Sequence, residues 1–175
     1  MRTPPLLPEE TLYRVLRVAN FNGLSVLAVT GMITLAVAST GNYVGAGIGL
    51  AIAASGALEL HGAGLLKSGN PRGMQWLIVS QPYLLVVILG YCVWRLTNFD
   101  PAPLQAAMTD ELRTAIAQGG YEEHVFLRNV YVGTYVVFAL VTCVYQGLMT
   151  LYYVRRRPAV TLALEGEEDE ARRFN

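Results

Sequence analysis

Four stretches of this chain, at about 20–40, 43–66, 74–96 and 129–154, are apolar over the roughly 20 residues a helix needs to cross the hydrocarbon of a bilayer. Little constrains a fold more, because backbone amides in lipid find no water and must be satisfied within the helix itself. Only 15% of the residues are charged and 53% are apolar, whereas a soluble domain carries ~25% charge. The sequence therefore predicts an all-α integral membrane protein, a bundle of four transmembrane helices.

The breaks between the runs are short except for one. "STGNY" is a tight turn after the first, and "KSGNPRG" (67–73) is a turn rich in Gly, Pro and charge after the second. Residues 97–128 form a longer polar loop. Within it "DPAPLQAAMTDELRTAIAQGG" predicts one amphipathic helix, with Asp100 as N-cap, Pro101 in the first turn and Gly119-Gly120 as the stop. Leu104, Met108, Leu112 and Ile116 would form its greasy stripe. Ahead of the first run, Leu12, Val15, Leu16 and Ala19 share a face, so the first helix is expected to begin outside the hydrocarbon. Residues 1–157 read as a single four-span domain and 158–175 as a polar, disordered tail, since "EGEEDEARRFN" has no apolar face.

Charge near the run ends sets the expected orientation. Arg2, Arg14, Arg17, Lys67, Arg72 and Arg155–Arg157 fall on one side, against Arg95, Arg113 and Arg128 on the other. Both termini are then cytoplasmic, in a plasma or inner membrane, and the long loop lies outside with Asp100, Asp110, Glu111, Glu122 and Glu123. Trp76, Tyr152 and Tyr153 on one boundary, with Tyr43, Trp94 and Tyr131 on the other, fit aromatic belts. A secretory signal ending at Ala36-Val37-Ala38 is the rival reading of the first run, but its leader would be unusually long.

Several functional classes find no support. Thirteen basic residues balance 13 acidic ones, and no basic patch interleaved with aromatics points to nucleic acid. Quinone-linked disulfide oxidoreductases of this size need paired cysteines in their outer loops, whereas Cys92 and Cys143 both lie in apolar runs and read as buried small hydrophobes. His61 and His124 fall on opposite sides, so no metal or haem pair forms, and no cofactor is expected. Without a nucleophile, a metal set or an acid pair, an enzyme is a distant reading.

One short segment stands apart. "SGALELHGAGLL" (55–66) places Glu59, the only acid in any of the four runs, among Gly, Ala, Ser and Leu. On a helix, Gly45, Gly49, Ile52, Gly56, Glu59, Ala63 and Leu66 line one stripe. Small residues at that spacing let helices approach in lipid, so Gly45, Gly49, Gly56 and Ala63 are packing residues and Glu59 faces a neighbouring helix, while His61 points away. Measured from the inner charges at 1.5 Å per residue, Glu59, Gln81 and Gln146 share a depth of about 12 to 14 Å. They predict a polar layer, with Thr142 and Tyr135 continuing a polar seam along the fourth helix from Gln146.

A carboxyl group in hydrocarbon costs several kcal/mol and is by default a functional candidate; it either carries a proton or meets water. Two functions follow. One is a non-enzymatic membrane component, self-associating or an accessory subunit of a membrane complex, with the lipid bilayer and another membrane protein as partners. The other is a small proton- or cation-coupled transporter or channel using Glu59.

Overall fold

The computed structural model describes residues 7–173, with side chains from 7 to 166. Six helices follow one another: α1 (Pro8–Ser39), α2 (Tyr43–Lys67), α3 (Gly73–Thr97), α4 (Ala102–Ala106), α5 (Asp110–Gln118) and α6 (Glu123–Arg173). Among the described residues there is no strand. Helices α1, α2, α3 and α6 are long and apolar enough to cross a membrane. By composition, the protein is membrane-embedded.

The chain divides into two compact units. The first holds the residues up to Val87 together with those from Tyr145 onward. Its foundation is the antiparallel pair α1–α2. Asn42 starts α2 by accepting a hydrogen bond from the Gly45 amide at 2.9 Å. At the far end the Asn70 amide reaches back to the Leu65 carbonyl at 2.9 Å and the Gly69 amide to Leu66 at 3.1 Å. That C-terminal cap requires a left-handed residue, which Gly69 supplies with φ of 78°.

Glycine contacts set how closely these helices meet. A Cβ added to Gly56 would lie 2.6 Å from the Gly23 carbonyl oxygen of α1, and one added to Gly62 would lie 2.9 Å from the Gly73 oxygen of α3. Gly49 likewise presses on Thr34 of α1. The small-residue stripe of α2 is thus covered by α1 within the same chain. Leu12, Val15 and Ala19 of α1, Ala63 and Leu66 of α2, Met74 and Leu77 of α3, and Tyr153, Val160, Ala163 and Leu164 of α6 close one apolar core at the end of this unit that carries Arg14, Arg17, Lys67, Arg72 and the Arg155–Arg157 triad.

Four features differ from the sequence reading. Helix α6 does not stop at residue 157 but continues through Pro158 to Arg173. Val160, Ala163 and Leu164 recur at helical spacing and are buried, which gives this extension an apolar face. Residues 174 and 175 of the expected tail, and residues 1–6 with Arg2 at the front, lie outside the described residues. Tyr153 is fully buried rather than part of an interfacial belt, and Cys143 is exposed while Cys92 is buried.

The fourth difference lies in the second unit, Ile88–Val144. The single loop helix is two, α4 and α5, broken at Ala107–Thr109. Thr109 caps α5, accepting from the Leu112 amide at 3.3 Å, and a local cap of this kind restarts the helix. Asp100 does cap the loop's start, accepting from the Ala102 amide at 3.0 Å. Of the expected stripe, Ile116 is buried, Leu104 and Met108 are half-buried and Leu112 is exposed.

Candidate functional site

Glu59 is 2% exposed, at the heart of the first unit. Its stripe on α2 turns it toward α1 and α3, and both carboxyl oxygens are occupied. Asn22 of α1 donates from Nδ2 to Oε2 at 2.7 Å. Gln81 of α3 donates from Nε2 to Oε1 and also reaches the Ser80 hydroxyl at 3.2 Å. One acid therefore ties three helices together.

The network continues outward. The Tyr145 hydroxyl of α6 donates to Asn22 Oδ1 at 3.0 Å, so a run of side chains, Tyr145 to Asn22 to Glu59 to Gln81, joins four helices. Tyr145 is 48% exposed, and the buried carboxyl is only two hydrogen bonds from the surface of the unit. Tyr153 lies beside the carboxyl. Its hydroxyl, together with Gln81 Oε1 and Gln146 Oε1, is buried without a hydrogen-bond partner.

Among the described residues the only ion pair is Arg14–Glu10 on the surface of α1 at 2.8 Å, so Glu59 is held by neutral donors alone. No cluster of three His, Cys, Asp or Glu residues capable of holding a metal occurs among them. The donors present are amides and hydroxyls. Such a set fixes a carboxyl in place and offers oxygen ligands.

No family model, no curated protein and no solved structure matches the chain.

Of the residues singled out in the sequence, Glu59 and Gln81 are bonded to each other. Gln146 is buried but bonds to neither. Thr142, in the second unit, is buried and donates to its own helix, to the Phe138 carbonyl at 2.8 Å. Gly49 and Gly56 face α1, Gly45 abuts Val37 of α1 and its own cap Asn42, and Ala63 sits in the apolar core. His61 is exposed and meets Trp76 edge-on, with ring centroids 5.3 Å apart.

Tyr135 belongs to a different cluster, within the second unit. Arg95 donates from Nε to its hydroxyl at 3.1 Å, and the Tyr131 hydroxyl donates to the Arg95 carbonyl at 3.0 Å. The guanidinium stands 5.5 Å from the Tyr131 ring and 5.8 Å from that of Tyr135, a cation–π arrangement. A cleft of about 190 Å³ opens beside it, lined by Arg95, Asp100, Pro103, Leu104, Tyr131, Thr134 and Tyr135.

The sequence reading missed Asn22, Tyr145 and Tyr153. Asn22 had a signal, being a polar side chain in the "ANFNG" start of the first run. The two tyrosines had none, because interfacial tyrosine is ordinary in membrane helices.

Proposed function

We propose that the protein is a non-enzymatic membrane component, a four-span bundle with cytoplasmic termini, in which Glu59 acts as a polar strut. The observation that carries this reading is that each Glu59 oxygen accepts a hydrogen bond from an amide, one from α1 and one from α3. A carboxyl so occupied behaves as an interhelical fastener, each such bond being worth about 0.6 to 2 kcal/mol. The bundle then presents other faces to its surroundings. Phe21, Leu24, Met32, Ile33 and Leu35 of α1 are exposed, and they offer apolar surface to lipid, to a second copy or to a larger membrane complex.

A second reading, proton- or cation-coupled transport, is favoured by one observation of its own. Buried polar atoms are normally paired, yet Gln81 Oε1, Gln146 Oε1 and the Tyr153 hydroxyl are not, and Gln81 and Tyr153 both stand beside the Glu59 carboxyl, where a proton or cation would find oxygen partners.

Glu59→Gln separates the two. It keeps size and one accepting oxygen for Asn22, presents an amide donor that Gln81 can meet by turning its unpartnered Oε1 toward it, and removes the titratable group. Under the strut reading it melts like the wild type, Glu59→Leu melts lower, and liposomes carrying wild-type protein leak protons and common cations no faster than empty ones. Flux in the wild type that Glu59→Gln abolishes, with melting unchanged, overturns the strut reading in favour of transport.

A further inference from the structure

Two clefts on the first unit share a wall. One, of about 400 Å³, is lined by Val18 of α1 and by Tyr145, Leu148, Met149 and Tyr152 of α6. The other, also about 400 Å³, is lined by Leu148, Leu151, Tyr152, Arg155 and Arg156. Leu148 and Tyr152 border both, so an apolar slot runs along α6 directly into a basic mouth.

The chemistry along this path changes in one direction. From Tyr145 to Leu151 the walls are aliphatic or aromatic, and then two guanidiniums follow within two residues. Arg156 is steadied over the Tyr152 ring at 5.8 Å, which leaves its N–H edge free to donate. No carboxylate lines either cleft, and among the described residues neither arginine is in an ion pair. An occupant must therefore be apolar for most of its length and anionic at one end.

We infer that this groove holds one anionic glycerophospholipid, its phosphate between Arg155 and Arg156 and an acyl chain along Val18, Tyr145, Leu148 and Met149. A soluble phosphate satisfies only the mouth, and a neutral hydrocarbon only the slot. Basic pockets at the end of membrane helices attract anionic headgroups in this way. The site also has a reach into the interior: Tyr145, which walls the acyl slot, is the residue bonded to Asn22 and through it to Glu59. Lipid occupancy thus bears on the outer end of the polar network, whichever function that network serves.

The test is lipid retention by the full-length protein purified in neutral detergent, read by native mass spectrometry and by thermal shift against phosphatidylglycerol, phosphatidylcholine and glycerol phosphate. The expected preference for phosphatidylglycerol over phosphatidylcholine is on the order of 30-fold, the ratio two arginines near one headgroup supply. R155Q with R156Q should bring it near unity while helicity is retained, since Arg155 is exposed and Arg156 half-exposed. R157Q, which lines neither cleft, should keep it. Leu148→Trp should reduce lipid retention by filling the slot without touching the arginines. Equal retention of the two lipids, full preference in the double variant, an equal loss in R157Q, or stabilisation by glycerol phosphate as great as by the lipid would each overturn the site.

Discussion

Tyr145 and Asn22 are joined across α6 and α1 by a 3.0 Å hydrogen bond from the tyrosine hydroxyl to the asparagine side-chain oxygen. Asn22 uses its other amide atom on Glu59 at 2.7 Å. The orientation of that amide is thus fixed from both sides: an oxygen held by the hydroxyl leaves the nitrogen to the carboxyl.

Removing the hydroxyl alone should therefore have a graded effect. Tyr145→Phe keeps the ring that walls the groove and deletes one donor, with an expected loss of about 0.6 to 2 kcal/mol. Asn22→Leu deletes both links and should cost more than Tyr145→Phe, with the Tyr145→Phe change nearly silent in its background. The measurement is a double-mutant cycle on unfolding free energy in detergent. Additive losses would mean the two residues do not act through one amide.

The glycines of α2 should divide into two classes. Gly56 has the Gly23 oxygen 2.6 Å from where a Cβ would stand, whereas Gly64 has nothing within 4 Å. Gly56→Ala should push α1 away and lower stability by about 1 to 3 kcal/mol, the usual cost of overpacking. Gly64→Ala should leave stability unchanged or raise it by up to about 1 kcal/mol, because alanine suits a helix better than glycine. Thermal melting of the two single variants decides the matter, and equal effects would place both glycines on lipid-facing surface.

Orientation is open to a direct measurement. Single cysteines at Ser68 and Gln105, in a chain with Cys92 and Cys143 replaced, should react from opposite sides of the membrane. Gln105 should label with an impermeant reagent added outside intact cells, and Ser68 only after permeabilisation. Labelling of both from outside would reverse the four-span assignment.

How much of this was written in the sequence differs from one residue to the next. The four helices long and apolar enough to cross a membrane follow from apolar length alone, and equal depth put Gln81 at the level of Glu59, though the same count put Gln146 there too, which bonds to neither. Asn22 escaped the same argument for a physical reason. Counted from Arg17 it lies five residues in, roughly 7.5 Å, and so looks too shallow for the layer. Arg17, however, is not a boundary marker, because α1 begins at Pro8 and buries Leu12, Val15 and Ala19 in the core it shares with α2, α3 and α6. Depth measured from charges fails wherever a helix continues past the membrane with a packed face. The extension of α6 is the matching case: Pro158 and the charge run mask the spacing of Val160, Ala163 and Leu164. The break between α4 and α5 was hidden because Leu104, Met108, Leu112 and Ile116 keep their rhythm across it, while the Thr109 cap that ends that continuity is one ordinary polar residue.

The core shared by Leu12 of α1 and Leu164 of α6 has a consequence for how the protein comes into being. Helix α1 is translated before α6, so Tyr153, Val160, Ala163 and Leu164 reach the core that Leu12, Val15 and Ala19 share with α2 and α3 only after those helices have emerged. Until then that core stays open on one side. Chains cut short by premature termination before Val160 would therefore expose part of a greasy core, a mark by which proteolytic surveillance can recognise a truncated copy.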